Sequence, residues 1–223
     1  MPTAHSIVVS THGRYLVEPS AEKVPDGLLV GFHGYGESAE VQLARLKSIA
    51  GSDRWLRVSI QGLHRFYRGR SNDVVASWMT RQDRELVIAD NIAYVSAVVD
   101  AVARDVNTVM PIVFSGFSQG VAMAFRSACL SKRRAAGVVA VGGDVPPELS
   151  AEALARIPMV ILARGTADEW YTAEKWEADQ KRLRSASVEL HTVGFEGGHE
   201  WHDEVNARAA SLLPQLSRRR SSE

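Results

Sequence analysis

Short apolar runs alternate with amphipathic stretches along the chain, and this alternation gives the first indication of its fold. The apolar runs are rich in β-branched residues and have the length of strands that are buried on both faces of a parallel sheet. They are residues 27–33, 55–60, 111–116, 136–143, 159–165 and 188–195. Between them, apolar residues recur at the spacing of a helix that packs on a core. The predicted helices are residues 41–49, 86–102, 121–130, 171–183 and 205–216.

The order of these elements predicts an α/β fold with a mostly parallel sheet and helices on both of its faces. The opening segment differs from the rest, because SIVVS (6–10) and RYLVEP (14–19) flank the turn-forming THG (11–13). Two apolar runs on either side of a short turn predict a hairpin. An antiparallel pair at the edge of an otherwise parallel sheet is common, so we expect the hairpin there.

Length and composition indicate one globular domain. The 223 residues are 45% hydrophobic and 23% charged, so we expect a single domain over 1–223 with frayed ends at 1–5 and 215–223. Lysine and arginine total 26, and aspartate and glutamate also total 26. This balance argues against nucleic acid or an anionic membrane as the main partner. We expect a monomer or a homodimer, with the tail SRRRSSE as a solvated end.

Signals of secretion and of membrane anchoring are not apparent in the sequence. Cys129 is the single cysteine and cannot form an internal disulfide, and residues 1–16 lack a basic start followed by a long apolar region. No apolar run approaches the length of a membrane span. We therefore expect a cytoplasmic protein without stable membrane insertion.

A serine between two glycines follows the predicted strand at 111–116. After PIVF (111–114) the chain reads SGFSQG (115–120) and then enters a predicted helix. The pattern G-x-S-x-G between a strand and a helix is typical of a nucleophile elbow, in which glycines relieve crowding around a sharply turned serine. A plain helix start would also explain such a pentapeptide, since glycine and serine are common turn residues. Ser118 is thus a candidate nucleophile that needs support from elsewhere in the chain.

An acid and a base follow two later strands, in the order that an α/β-hydrolase requires. In an open α/β sheet, reactive groups gather at the carboxyl ends of the strands. Asp168 follows the strand at 159–165 and His199 follows the strand at 188–195. A serine hydroxyl needs a base to take its proton, and that base needs an acid to orient it. Asp144 is the rival acid and His202 the rival base, and we favour Asp168 and His199.

Acyl transfer also needs N–H groups that stabilise a negatively charged oxygen. The backbone amide of Gln119, directly after the serine, is the first candidate. The second is the amide of Tyr35, in the HGYG turn (33–36) that ends the strand at 27–33. This turn lacks both glycine-rich phosphate-binding patterns. We predict that His33 is structural and bonds the loop beneath the site.

Simpler interpretations exist for each of these residues taken alone. Asp168 could be a helix N-cap and His199 a surface histidine. A zinc-binding H-E-x-x-H motif places its histidines four positions apart, whereas His199 and His202 are three apart, so we expect no metal. Cys129 lies well inside a predicted helix and is expected to be a buried, inert thiol. We predict no cofactor.

Six segments together carry a resemblance to a known family. They are GFHGYGES, ASWMTRQDRELVIADNIAYV, GFSQG, VGGDVPPE, RGTADEWY and FEGGHEW, and they cover nearly the whole stretch from Leu28 to Trp201. The chain resembles the bacterial phospholipase/carboxylesterase family of α/β-hydrolases, which also includes acyl-protein thioesterases. The resemblance implies a minimal hydrolase of carboxylic esters or thioesters. It implies that the catalytic triad is Ser118, Asp168 and His199, and that the oxyanion hole is formed by the amides of Tyr35 and Gln119.

The substrate pocket is less clearly indicated. Relatives often have small or branched residues and a proline after the acid, whereas this chain has Trp170 and Tyr171, which would narrow an acyl pocket. The short connection at 144–158 leaves no room for a large lid, which favours small esters. The long segment 61–85 is expected to cover one rim of the cleft. Further pocket candidates are Trp78 and Met79, for which a core role is equally compatible, and Asp144.

The sequence therefore predicts a serine hydrolase that acts on esters or thioesters of small acyl groups. A serine peptidase or amidase is the alternative within the enzymes, and a hydrolase-like receptor without catalysis is the alternative outside them. Three arginines on the segment 61–85 could meet an anionic substrate, although a solvated rim is the favoured interpretation. They are Arg65, Arg68 and Arg70.

Overall fold

The computed structural model describes residues 2–106 and 110–218, and from Val74 onward each described strand is followed by one helix. The strands are β1 (Arg14–Glu18), β2 (Leu28–Phe32), β3 (Leu56–Gln61), β4 (His64–Tyr67), β5 (Val74–Ser77), β6 (Ile112–Phe117), β7 (Ala135–Val141), β8 (Met159–Gly165) and β9 (Glu189–Phe195). The helices are α1 (Ala39–Ser48), α2 (Arg84–Val106), α3 (Gln119–Leu130), α4 (Ala151–Leu154), α5 (Ala173–Ser185) and α6 (Asp203–Leu216), with a 3₁₀ turn at Ser52–Arg54.

The main sheet has seven strands in the order β1-β3-β2-β6-β7-β8-β9. All neighbours pair in parallel except β1, which runs antiparallel to β3. All six predicted parallel strands are present, and the α/β-hydrolase fold with an antiparallel edge is confirmed. The carboxyl ends of β2, β6, β7, β8 and β9 lie along the same edge of the sheet, because their pairing is parallel.

The antiparallel edge has a different partner from the one predicted. Residues 6–10 form no strand, and β1 pairs with β3, with Arg14 opposite Gln61. The end of the predicted turn lies against helix α2: the Tyr94 hydroxyl donates at 2.8 Å to the carbonyl oxygen of Arg14, the residue directly after that turn. Gly13 packs so closely on the Tyr94 ring that a Cβ atom there would lie 2.0 Å from Cε2. Contacts with helix α2 therefore replace the predicted hairpin.

Helices cover both faces of the sheet. Helices α2, α3, α4 and α5 pack on one face, and α1 and α6 pack on the other, each over its own apolar cluster. The sequence of α2 explains why one of its faces packs on the sheet. Its valines at helical spacing are all buried: Val95, Val98, Val99 and Val102. The prediction that no apolar run approaches the length of a membrane span is wrong, because the 23 residues of α2 are long and apolar enough to cross a membrane by length and composition alone. Here the helix packs on α3 and on the core.

The segment 61–85 contains a second, two-stranded sheet that the sequence did not indicate. Strands β4 and β5 form an antiparallel hairpin, and an isolated bridge joins Glu37 to Ala76. Every residue of β4 is exposed, so no alternation of apolar and polar residues marked it as a strand. Helix α6 continues to Leu216, two residues into the segment 215–223 that was predicted to be frayed; residues 1, 107–109 and 219–223 lie outside the described part of the chain.

Candidate active site

Ser118 lies at the tip of a sharp turn between β6 and α3. Its backbone has φ 52° and ψ −120°, a strained conformation for a residue with a side chain. Two glycines make the turn possible. A Cβ atom on Gly116 would lie 2.4 Å from the Gly120 carbonyl oxygen, and one on Gly120 would lie 2.2 Å from the Phe32 carbonyl oxygen. The backbones of the strand, the turn and the helix thus pack directly against each other, and the half-buried Ser118 lies at the carboxyl end of β6.

A row of hydrogen bonds joins Ser118, His199 and Asp168. The Ser118 Oγ lies 2.8 Å from His199 Nε2, and His199 Nδ1 lies 2.8 Å from Asp168 Oδ2. A carboxylate can only accept, so Nδ1 carries the proton and Nε2 accepts from the serine hydroxyl. The Asp168 side chain is almost fully buried, while the imidazole is partly open to solvent. The structure therefore brings together the three side chains that the sequence singled out.

The turn after β8 holds the Asp168 carboxylate in place. Its second oxygen, Oδ1, accepts hydrogen bonds from the backbone amides of Trp170 and Tyr171, both at 2.9 Å. The Arg164 side chain donates to the Tyr171 carbonyl oxygen at 2.7 Å and closes the turn from the other side. Both oxygens of the carboxylate are thus engaged, and one of them points at the imidazole. A buried carboxylate is tolerated only with this degree of pairing.

The two rival residues have their contacts outside this row. Asp144 is exposed, and its carboxylate lies 3.5 Å from Lys175 Nζ. His202 stacks on Phe195 with ring centroids 4.6 Å apart, and its Nδ1 accepts from the Glu204 amide at the start of α6. Neither side chain is hydrogen-bonded to Ser118. Their types and positions in the sequence were suitable, but the turns that carry them point them elsewhere.

The two candidate oxyanion amides, those of Gln119 and Tyr35, have no hydrogen-bond partner within the described residues. The Gln119 amide is at the first position of α3, where N–H groups have no partner within the helix. In the loop after β2, the amides of Gly34 and Gly36 are both bonded, the first to Glu37 Oε2 at 2.7 Å and the second to the Ala76 carbonyl oxygen at 3.0 Å. The Tyr35 amide between them takes part in none of the hydrogen bonds found within residues 2–106 and 110–218. A free amide between two anchored ones can bind an anionic oxygen.

His33 is buried beneath this loop, as predicted. Its Nε2 accepts from the Gly62 amide at 3.0 Å, so the ring is neutral and Nδ1 donates to the Gly34 carbonyl oxygen at 2.7 Å. Burial is the main reason why the pKa of His33 lies below its usual value. The ring therefore links the loop after β2 to the loop after β3.

Trp78 is a core residue and does not line an open pocket, which is one of the two roles that the sequence left open for it. Its side chain is 0% exposed and packs edge-on against Phe32, with its Nε1 donating to the His33 carbonyl oxygen at 2.9 Å. Met79 next to it is half-buried. The Gln119 side chain holds this stretch, accepting from the Trp78 amide at 2.8 Å and donating to the Met79 carbonyl oxygen at 3.1 Å. This anchoring role of the Gln119 side chain had no signal in the sequence.

The two aromatic residues after Asp168 have opposite environments. Trp170 is 75% exposed, so its side chain is open to solvent two residues after Asp168. Tyr171 is 1% exposed, and its hydroxyl donates to Asp179 Oδ2 at 3.1 Å. The same Asp179 oxygen accepts from the Val145 amide at 2.9 Å. Tyr171 is therefore a structural link between two loops of the site, and the prediction that it narrows the pocket is wrong.

The remaining candidates are peripheral to the hydrogen-bonded row. Two of the three rim arginines bond to backbone oxygens, Arg65 to His12 at 2.7 Å and Arg68 to Gly36 at 3.0 Å. Cys129 is buried, and burial raises its pKa to about 11. Across the described ranges 2–106 and 110–218, no group of three or more His, Cys, Asp or Glu side chains is arranged to hold a metal ion.

Known structures with a similar fold include three hydrolases. Acyl-protein thioesterase 2 of Zea mays superposes with a TM-score of 0.73 at 17% identity, covering 92% of this chain and 100% of that one. A carboxylesterase of Mesorhizobium loti gives 0.72 at 21% identity, with 91% and 93% covered. A carboxylesterase of Bacillus cereus gives 0.71 at 16% identity, with 92% and 94% covered. At such identities the similarity concerns the fold.

Comparison by sequence identifies the family. A search of curated proteins gave no match. The profile of the phospholipase/carboxylesterase family, in contrast, matches residues 14–212, which include every strand of the main sheet and the three hydrogen-bonded side chains. The match extends over most of the 223 residues and agrees with the α/β-hydrolase fold. The chain therefore belongs to the phospholipase/carboxylesterase family, a family of carboxylic-ester hydrolases.

Proposed function

We propose that the chain is a serine hydrolase that cleaves carboxylic esters or thioesters of small acyl groups through an acyl-enzyme intermediate. One observation carries the proposal: the Ser118 hydroxyl donates to an imidazole whose other nitrogen is bonded to the buried Asp168 carboxylate, each bond 2.8 Å long. A serine hydroxyl becomes a nucleophile when such a base takes its proton. The strained backbone of Ser118 supports the proposal, since strain of this kind clusters at functional sites.

In the first half of the reaction, Ser118 Oγ attacks the carbonyl carbon while its proton passes to His199 Nε2. The carbonyl oxygen becomes negative and is stabilised by the amides of Tyr35 and Gln119. Asp168 holds the imidazole in the required tautomer and stabilises its charged form. His199 then gives the proton to the departing alcohol or thiol, which leaves an ester between the acyl group and Ser118.

In the second half, water takes the place of the leaving group. His199 removes a proton from a water molecule, which attacks the acyl-enzyme through the same oxyanion geometry. Collapse of this intermediate releases the acid and returns the proton from His199 to Ser118. The partly exposed imidazole suits this step, because water can reach it without displacing protein.

The short connections around the site support small acyl groups as substrates. Residues 142–158, between β7 and β8, contain one helix of four residues, so this connection forms no long cap over Ser118. A long acyl chain gains most of its binding energy from an enclosed apolar channel. Similar structures carry the names carboxylesterase and acyl-protein thioesterase, which supports both esters and thioesters as substrate classes.

The test compares the wild-type protein with Ser118→Ala on p-nitrophenyl esters of two, four and eight carbons. We expect turnover to be fastest on the shorter esters and to fall at least about 10⁴-fold in Ser118→Ala. Ser115→Ala is the matched control, because Ser115 is a buried serine three residues before Ser118, and its replacement should leave turnover unchanged. Unchanged turnover in Ser118→Ala would refute the proposal.

A second measurement separates the alternatives. A fluorophosphonate should label Ser118 once per chain, as seen by mass spectrometry of the peptide that contains it. A receptor without catalysis would neither be labelled nor hydrolyse any ester. An amidase or peptidase would be labelled but would hydrolyse p-nitroanilides faster than the matching esters.

A further inference from the structure

A salt bridge outside the hydrogen-bonded row joins the loop after β2 to helix α1. Arg45 Nη1 lies 2.6 Å from Glu37 Oε2, and Arg45 Nη2 lies 2.7 Å from Glu37 Oε1. This two-point geometry is the strongest form of the arginine–carboxylate pair. The two side chains are only 15% and 20% exposed, so solvent screens the pair less than it screens a surface pair. Burial by itself would raise the pKa of Glu37, but the bonds and the charge of Arg45 outweigh it and lower that pKa.

Glu37 holds the loop that carries the candidate oxyanion amide. The Glu37 Oε2 that binds Arg45 also accepts from the Gly34 amide at 2.7 Å. The Glu37 amide in turn donates to the Gly34 carbonyl oxygen at 3.3 Å, which closes a short turn around Tyr35. The direction of the Tyr35 N–H therefore depends on a turn whose ends are tied together by Glu37. No part of Glu37 itself is needed to contact a substrate.

Arg45 holds the ring that lies against the candidate base. Its guanidinium carbon is 4.1 Å from the centroid of Phe117, the residue directly before Ser118. The Phe117 ring is in turn 5.1 Å from the His199 ring. The guanidinium also lies 5.9 Å from Trp201, two residues after His199. One cation thus packs on aromatic groups next to both the nucleophile and the base, with an energy typical of cation–π contacts.

The contacts of Glu37 and the contacts of Arg45 come together at Gly34. A Cβ atom at Gly34 would lie 3.0 Å from Glu37 Oε2 and 3.1 Å from Phe117 Cδ1. The oxyanion loop, the salt bridge and the Phe117 ring are therefore in close contact, and a shift of one displaces the others. Such packing is needed where catalytic groups must be held to within a fraction of an ångström.

We propose that Glu37 and Arg45 are a positioning pair that sets the Tyr35 amide and the His199 ring for acyl transfer without touching the substrate. This inference rests on the proposed function, because it assigns the pair to the same reaction. A pair that merely fastened α1 to the sheet would affect stability alone. The positioning role requires that the reaction at Ser118 slows by more than the loss of stability explains.

The test uses Arg45→Met, Glu37→Gln and Arg45→Lys, with Asp26→Asn as the matched control. Asp26 and Arg54 form another two-point pair, with contacts of 2.7 and 3.2 Å, but at the amino end of β2, away from Ser118. For Arg45→Met we expect kcat on short p-nitrophenyl esters to fall roughly 10- to 100-fold, with KM changed less than about threefold. Arg45→Lys keeps the charge but loses the two-point bond, so it should recover part of that loss.

The rate at which a fluorophosphonate labels Ser118 is a second measurement, and it does not depend on which ester is chosen as the substrate. It should fall in Arg45→Met and Glu37→Gln by a factor similar to that for kcat, and stay unchanged in Asp26→Asn. Folded variants that label and hydrolyse at the wild-type rate would overturn the positioning role. If wild type labels but hydrolyses no ester, the proposed function fails, while slower labelling of the variants still supports the pair.

A third measurement applies if the wild-type protein neither hydrolyses esters nor reacts with the fluorophosphonate. The proton between His199 Nδ1 and Asp168 should give a downfield NMR resonance, because the two atoms are 2.8 Å apart. We expect this resonance to shift or broaden in Arg45→Met and Glu37→Gln and to be unchanged in Asp26→Asn. Identical spectra in all the variants would overturn the proposal.

Discussion

Asp168 and His199 come from turns after the neighbouring strands β8 and β9, and their side chains meet at 2.8 Å. The two turns are also joined through the backbone, since the Ala167 amide donates to the Gly197 carbonyl oxygen at 2.8 Å. Gly165 and Phe195 pair at the ends of the two strands. The pairing of β8 with β9 thus sets the distance between the acid and the base. The serine follows β6, which is separated from β8 by β7.

Replacing Asp168 with asparagine should nearly abolish catalysis while the fold remains. Asparagine is similar in shape and can still accept from the Trp170 and Tyr171 amides, but its amide group can donate to His199 Nδ1 and favour the wrong tautomer. We expect kcat to fall roughly 10³- to 10⁴-fold. Steady-state kinetics on a short p-nitrophenyl ester and a thermal unfolding curve of the same sample check this. A loss below tenfold would show that Asp168 does not orient the base.

Gly142→Ala should impair the reaction through the imidazole. Gly142 has φ 64°, and a Cβ atom there would lie 3.2 Å from His199 Cε1 and 3.3 Å from Nδ1. We expect the ring to be displaced and kcat to fall roughly 10- to 100-fold. Gly51→Ala is the control, because Gly51 has φ 78° but open space around it. Both variants should lose about 1 kcal/mol of stability to the left-handed backbone, and only Gly142→Ala should lose activity.

His33 should make stability depend on pH just below neutrality. Its pKa in the folded state lies below the unfolded value of 6.5, mainly because of burial. Between the two values the unfolded chain binds more protons, so stability is complete above pH 6.5 and declines as the pH falls toward the folded pKa. Protonation would also place an N–H of the ring against the Gly62 amide.

The measurement is the thermal midpoint of wild type and His33→Gln between pH 8 and about pH 5. Glutamine can accept from Gly62 without titrating, so we expect a smaller decline in the variant. Equal slopes in the two proteins would contradict this assignment. Carboxylates such as Glu37, whose pKa is lowered, act below this window.

Tyr171→Phe should affect stability and leave substrate selection unchanged. The variant loses the bond from the hydroxyl to Asp179 but keeps the Tyr171 amide that binds Asp168. We expect a loss of about 1–2 kcal/mol in the free energy of unfolding, with KM unchanged across acyl lengths. Tyr94→Phe, which loses a comparable bond to Arg14, is the control for stability. A KM that changes with acyl length in Tyr171→Phe would show that the side chain does reach the substrate.

The positions of the reactive groups could be predicted because they depend on local patterns and on one rule of topology. Strand and helix periods are visible in the sequence, and side chains that follow parallel strands must lie at the same sheet edge. These two signals predict that Ser118, Asp168 and His199 lie together, and the glycines at 116 and 120 indicate the turn. The rivals Asp144 and His202 satisfied the same rule. They are excluded as catalytic residues only by the tertiary structure, in which Asp144 contacts Lys175 and His202 stacks on Phe195.

What the sequence alone determined is the order of strands and helices and the chemistry that follows each strand, because both are set by neighbouring residues in the chain. Tertiary structure decided that β1 pairs with β3, that Trp78 and Tyr171 are buried, and that Glu37 meets both Arg45 and Gly34. These outcomes depend on which distant segments compete for the same surface. An aromatic side chain or a salt bridge has no periodic signal of its own, so its partner is known only when the chain has folded.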